Sequence, residues 1–192
     1  MYKYINNVTN IAKEIMVKKI KLGNVVVDAT VGNGHDTILL AELVGQEGKV
    51  YGFDIQETAI NNTNQKIAEN SLTERVYLIK DSHENIDQYI SELVDLVIFN
   101  LGYLPGGSHD IVTKAESTVI ALEKSLELLK DNGMLLITTY VGHNEGKIED
   151  KRIKEYLLSL NQKKFNVLKY EFINQINNPP ILYCVEKNKL IT

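Results

Sequence analysis

The sequence predicts an α/β fold: a seven-stranded, mostly parallel sheet that ends in an antiparallel hairpin. Three observations predict it. Short apolar runs alternate with helical patterns nearly to the end of the chain. A glycine-rich turn follows the first apolar run and opens a helical pattern. The last two apolar runs are joined only by a short Asn/Pro segment. With no internal repeat, low-complexity segment or linker, residues 1–192 read as a single domain.

Taken in order, Ile5, Val8, Ile11, Ala12, Ile15 and Met16 recur at helical spacing and open the chain with an amphipathic helix. Residues 25–28 form a buried strand and 36–44 a helix. A second strand over 50–54 leads into a helix over 56–69, and strands three and four cover 76–80 and 93–99. Ile111, Ala115, Val119, Leu122, Leu126 and Leu129 mark a long helix, which Asn132-Gly133 should end as a C-cap. The fifth strand spans 134–140. Ile153, Tyr156, Leu157 and Leu160 define the last helix. Strands over 165–173 and 181–186 then form the hairpin, turned by Asn177, Asn178, Pro179 and Pro180.

Composition narrows the classes of function. No apolar run approaches the roughly 20 residues of a membrane span, and the first ten residues lack a signal-peptide pattern. The single cysteine, Cys184, excludes a disulfide framework or a zinc site within one chain. These features predict a cytoplasmic protein with no membrane partner and no metal. Charge is unevenly spread. Residues 1–21 hold five lysines against one acid (+4), residues 142–170 seven Lys/Arg against four acids (+3), and 171–192 balance. The net charge of −4 therefore leaves −11 on residues 22–141. Such a chain can offer a basic rim to a polyanion through Lys13, Lys18, Lys19 and Lys21 or through Lys147, Lys151, Arg152 and Lys154. Lysines that merely solvate helix faces would give the same asymmetry.

The strongest motif runs from Asp28 through Gly32, Asn33 and Gly34 to Asp36, at the end of the first strand. Glycines permit the tight turn and a close ligand approach to the backbone. Dinucleotide sites share that feature, but Thr37 replaces the third glycine of their fingerprint. Asp28 and Asp36 would also repel a pyrophosphate, whereas they suit a ligand carrying an ammonium and a sulfonium. S-adenosylmethionine is the expected cofactor. At the second strand's end Asp54 is placed to accept both ribose hydroxyls, with Gln56 assisting. Asp81, Ser82 and His83 end the third strand where an adenine would lie, Asp81 taking its exocyclic amine. The fourth strand ends in Asn100-Leu-Gly102-Tyr103-Leu104-Pro105-Gly106-Gly107. There Asn100 could face both the donor and a nitrogen nucleophile held by the loop 102–106.

Five βα units closed by a hairpin match the plan of Rossmann-like class I methyltransferases. The Asp28–Asp36 segment, the Asn100–Gly107 segment and the tail Phe172-Ile-Asn-Gln-Ile-Asn177-Asn178-Pro179-Pro180 resemble the bacterial family long labelled putative rRNA methylases. That family is associated with N-methylation of 5-aminomethyl-2-thiouridine at the tRNA wobble position. The resemblance covers nearly the whole chain. It implies an S-adenosylmethionine donor, a tRNA anticodon-arm acceptor and a homodimer. The chain departs from the expected acid-then-His after Gly107, reading Ser108-His109-Asp110.

The implied acceptor is a primary alkylamine, which must lose a proton to attack the donor's methyl group. His109, His143 and Tyr103 are the candidate proton acceptors or relays, beside Asn100 as the orienting amide. Gln175 and Asn177 would reach toward the acceptor base or the RNA backbone. Two other readings stay open from the residues alone: a methyltransferase acting on rRNA or a small metabolite, and a non-catalytic RNA- or nucleotide-binding module.

Overall fold

The computed structural model describes residues 7–102 and 115–189. It is an α/β layer structure built on one seven-stranded sheet with the order β3-β2-β1-β4-β5-β7-β6. Helix α1 (Val8–Lys19) precedes β1 (Val25–Asp28), α2 (His35–Val44), β2 (Lys49–Phe53) and α3 (Glu57–Glu69). After β3 (Val76–Ile79) come a 3-10 turn (His83–Asn85) and the one-turn helix α4 (Ile86–Tyr89). The chain continues through β4 (Val94–Asn100), α5 (Ala115–Leu128), β5 (Leu129–Thr139), α6 (Asn144–Ser159), β6 (Phe165–Tyr170) and β7 (Ile181–Lys187). Strands β3, β2, β1, β4 and β5 pair in parallel, and β7 is antiparallel to both β5 and β6.

Both faces of the central strands are buried, which is why they read as continuous apolar runs. Val26, Leu96, Ile98 and Leu136 pack with Met16 of α1, Leu40 of α2 and Ile67 of α3. Their neighbours in the strands, Val27, Val97, Phe99 and Ile137, pack on the other face with Leu122 and Leu126 of α5 and Ile153 of α6. The period-two alternation of the strands thus assigns each helix to a face. Connections leave β1 and β4, neighbours in the sheet, toward opposite edges, creating the crevice in which ligands of open α/β sheets bind.

The expected strands and hairpin are present, with three revisions. Helix α5 ends at Leu128, and Asn132-Gly133 lies inside β5 rather than capping a helix. The β4–β5 register passes from Val94↔Leu129 to Leu96↔Met134, so β5 carries surplus residues there. Asn132 absorbs them with φ 58, a conformation Asn tolerates. Second, the turn and α4 between β3 and β4 have too short a pattern to be seen in the sequence. Third, β6 stops at Tyr170, so residues 171–180 form a long loop rather than a tight turn. Among the described residues no helix is long and apolar enough to cross a membrane.

Candidate functional site

The site lies along the carboxyl ends of β1, β2, β3 and β4. Asp28 closes β1 and is buried, 1% exposed. Its Oδ1 accepts the Thr30 N–H (3.1 Å) and its Oδ2 the Thr37 hydroxyl (2.7 Å). Burial pushes its pKa up to about 7, and the charges of Asp36 and then Asp54 push the same way against the two hydrogen bonds. Asp28 therefore ties its own loop together, and it would meet a ligand chiefly as charge. Beyond it, Gly32 (φ 51) and Gly34 (φ 76) turn the chain into α2. A Cβ on Gly34 would come within 2.6 Å of Thr63 Oγ1, so α3 presses directly on the turn. The Asn33 carbonyl accepts from Lys66 Nζ at 2.7 Å.

Asp54, half-buried, accepts the Gly32 N–H through Oδ2 (2.8 Å) and the Gln56 N–H through Oδ1 (2.9 Å). One carboxylate so fixes the first loop against the second, with acceptor capacity left for ribose hydroxyls. Gln56 contributes its backbone here, at the start of α3. Asp81 is more committed: Tyr89 Oη (2.8 Å), the Ser82 N–H (2.7 Å) and the Asn85 amide (3.2 Å to each oxygen) all donate to it. The Tyr89 bond is the main reason its carboxyl titrates below the usual range. Its lone pairs are thus taken up by the chain's own donors, leaving little for an adenine amine. Ser82 caps the 3-10 turn, accepting the Glu84 N–H. His83 is buried, its Nδ1 3.2 Å from the Ala29 carbonyl and its ring edge-on to Phe99. The carbonyl can only accept, so Nδ1 carries the hydrogen, and burial holds the ring below its ordinary pKa.

Asn100 is held on three sides. Its backbone N–H donates to Thr30 Oγ1 (2.7 Å), its Oδ1 accepts the Tyr140 hydroxyl (2.9 Å), and its Nδ2 faces Asp36 Oδ2 (3.3 Å). Those partners fix which way the amide points. The Tyr140 ring lies against Gly102, where an added Cβ would sit 3.4 Å from Cδ2. Burial is the largest reason the Tyr140 hydroxyl titrates above its usual range. His143 is the N-cap of α6, its Nδ1 taking the Gly146 N–H at 3.1 Å. A side chain at Gly146 would collide with the Tyr140 carbonyl and the His143 ring. That close fit gives His143 a structural task, with Glu145 Oε2 also 3.3 Å from Nδ1. Tyr103, Leu104, Pro105, Gly106 and His109 lie outside the described residues. Gln175 and Asn177 stand exposed on the 171–180 loop, beside Ile173 and Ile176 (97% and 91% exposed). That loop leaves β6 at the edge where β4 and β5 end, because β6 and β5 are both antiparallel to β7.

Next to Asp36 and Asn100 a cavity of about 230 Å³ opens between the sheet and α1. Thr9 and Lys13 of α1 face it, over a floor that includes Ile98 and Leu136. Thr30, Tyr140, Thr9 and Lys13 were not singled out for this site by the sequence reading. Thr30 lies within the Asp28–Asp36 motif and Tyr140 ends the fifth apolar run, whereas Thr9 and Lys13 carry no local signal for this site.

The fold, the glycine turn and the acids at the strand ends fit a methyltransferase that uses S-adenosylmethionine, and similarity to known proteins places the chain in that class. The family model "Putative rRNA methylase" matches residues 50–186, and the chain belongs to that family. It is 30% identical over 189 residues to the Arabidopsis thaliana "tRNA (mnm(5)s(2)U34)-methyltransferase, chloroplastic", covering 93% of this chain and 69% of that one. It is similar to the crystal structure of a putative rRNA-methylase from Clostridium thermocellum, with TM-score 0.95, 48% identity, and 96% and 100% of the two chains covered. A putative methyltransferase from Streptococcus mutans, solved in complex with SAH, superposes with TM-score 0.86 at 34% identity over 97% and 99% of the chains.

Proposed function

We propose that this chain is a tRNA methyltransferase that N-methylates 5-aminomethyl-2-thiouridine at the wobble position, giving the 5-methylaminomethyl product. The observation that carries the reading is the locked Asn100 amide. Its Nδ2 faces Asp36 and its Oδ1 accepts the Tyr140 hydroxyl, which leaves the oxygen's second lone pair for an incoming amine N–H. An amide oxygen orients a nitrogen nucleophile by accepting its hydrogens and leaves the lone pair aimed elsewhere. S-adenosylmethionine, when bound, supplies an electrophilic methyl group on a sulfonium. Asp54 and the Gly32–Gly34 turn would hold its nucleoside, and the acids at the loop favour its positive charge. The amine attacks as its neutral form, and the proton it sheds leaves through solvent or through Tyr103 or His109. His143, already capping α6, is the weakest of the three proton-acceptor candidates.

The resemblance of the chain and its likeness to the Arabidopsis enzyme support tRNA as the acceptor and the anticodon arm as the part bound. The layout of charge favours one of the two basic segments. Five residues link α1 to β1, so Lys18 and Lys19 lie at the opposite edge of the sheet from the site. A twelve-residue helix spans about 18 Å. Helix α6, by contrast, starts at the site's edge, placing Lys147 and Lys151 in its first two turns. A homodimer belongs to the same reading and rests on the resemblance, and a cytoplasmic location rests on the composition of the chain. The test is direct: purified protein, S-adenosylmethionine and tRNA carrying the aminomethyl nucleoside should yield the methylaminomethyl nucleoside by mass spectrometry. Conversion of rRNA alone would sink the assignment.

A further inference from the structure

We propose that the tip of the 171–180 loop is an apolar wedge for RNA, with Ile173 and Ile176 packing against unstacked bases beside the nucleotide that is methylated. The inference rests on the tRNA reading above and adds how the acceptor nucleotide is brought out of its stack. Ile173 and Ile176 are the most exposed large apolar side chains among the described residues. One exposed apolar side chain is ordinary, but two within four residues of a short loop form a patch. Both ends of the loop are anchored: Phe172 packs against the core on the α1 side of the sheet, and Pro179 and Pro180 are half-buried. Asn178, at φ 46, turns the chain between the tip and the prolines. The backbone therefore holds both isoleucines away from the core.

Position and charge select the partner. Ile181, the first residue after the loop, pairs with Thr139, and Asn100 pairs with Thr138 from the other side. The loop thus ends two strand spacings, about 10 Å, from Asn100, within reach of the neighbours of a nucleotide placed there. Residues 172–185 carry no charge, so the loop has nothing to offer a phosphate. Helix α6, packed on the opposite face, brings Lys147 and Lys151 to the same end of the sheet. Single-stranded RNA is met by that division of labour, cations on its backbone and apolar or amide groups on its splayed bases. Isoleucine is among the side chains that wedge between bases, and Asn174, Gln175 and Asn177 set amides beside it for base edges. An enzyme that modifies a base turns it out of its stack, and the wedge would fill the gap and offset the stacking lost.

The probes are anticodon stem-loop RNAs carrying the aminomethyl nucleoside, with 2-aminopurine as its 5′ or its 3′ neighbour, a base whose fluorescence rises on unstacking. Binding of the wild-type protein should raise the fluorescence of at least one. Ile173→Ser combined with Ile176→Ser should abolish that rise and increase KM for the RNA about tenfold or more, the factor given by losing one buried apolar side chain. Affinity for S-adenosylhomocysteine, Tm and the salt slope of RNA binding should stay at wild-type values, because the loop contacts neither donor nor phosphate. Ile173→Leu with Ile176→Leu should restore both the fluorescence and KM. Wild-type KM and fluorescence in the double Ser variant overturn the proposal, as does a flattened salt slope. Sedimentation tests the other occupant: a wild-type dimer that the double Ser variant turns into a monomer would place the isoleucines against a second copy and overturn the wedge. Wild-type protein that leaves tRNA unmethylated sinks the tRNA reading and the wedge with it, whereas equal methylation by both proteins sinks the wedge alone.

Discussion

The buried Asp28 makes the stability of this protein depend on pH in a direction opposite to that of most paired carboxylates. Its folded pKa is raised from 3.8 to about 7, first by burial and then by Asp36. Between those values the folded chain binds a proton at Asp28 that the unfolded chain has lost. Stability from this group is therefore greatest at the acid end and declines as pH rises from about 4 to about 7. Each unit of pH across that interval is worth ~1.4 kcal/mol, so the full decline is on the order of 4 kcal/mol. For a domain of this size ~1 kcal/mol moves Tm by about 2–4 °C. The wild-type protein without ligand should thus melt on the order of 10 °C lower at pH 8 than its other groups alone would allow.

Asp28→Asn removes the charge and keeps the shape. Its amide can still accept from the Thr30 N–H and donate to the Thr37 hydroxyl, the two partners Asp28 has now. The variant should gain stability at pH 8, gain little at pH 5, and lose most of the slope between them. Urea denaturation at half-unit steps from pH 5 to 8.5 measures this. Parallel wild-type and variant curves, separated by a constant amount, would refute the burial of a titrating Asp28. If the donor binds at this loop as proposed, the same variant should lose more affinity for the cationic donor than for S-adenosylhomocysteine, whose sulfur is neutral.

Other expectations follow from single contacts. Tyr140→Phe deletes the hydroxyl that holds Asn100 Oδ1 and should lower turnover about tenfold with donor affinity unchanged, read by steady-state kinetics beside calorimetry. Thr37→Val strips the hydroxyl from Asp28 Oδ2 and should cost about 1–3 kcal/mol at pH 8, with a smaller loss at pH 5 where the carboxyl is protonated; equal losses would count against it. Replacing Lys147 and Lys151 together should flatten the salt dependence of tRNA binding by up to about two phosphate contacts. Replacing Lys18 and Lys19, at the far edge, should leave that slope near wild type, and the reverse ranking would place the RNA on α1.

How much of this was legible in the sequence depends on the range of the interactions. The strands, the glycine turn and the positions of Asp28, Asp54 and Asn100 announce themselves locally, because strand ends in a parallel sheet are also where a ligand sits. Asn132-Gly133 was legible as turn chemistry but not as to which turn: a helix C-cap and a surplus in a strand both want a residue that tolerates positive φ. Asp81 looked like an open acceptor, yet Tyr89, eight residues on, satisfies it only once α4 folds back, and a helix of four residues has no periodicity to read. Tyr140 and Lys13 reach the site from β5 and α1 across the sheet order, which local spacing does not encode.

The uneven charge acquires a different meaning once the topology is known. Three acids of the acidic central segment, Asp28, Asp36 and Asp54, converge on one loop, where burial first and the charges of Asp36 and Asp54 after it raise the pKa of Asp28. A cationic donor held at this loop, as proposed, would ease the repulsion among these acids. The neutral product sulfide would not, so in the proposed site the acids would favour the donor over the product. The basic segments flank this cluster unequally, with α6 beginning at the site's edge and α1 ending at the opposite one. The tRNA proposed as acceptor would then meet α6 and the 171–180 loop rather than the C-terminal end of α1.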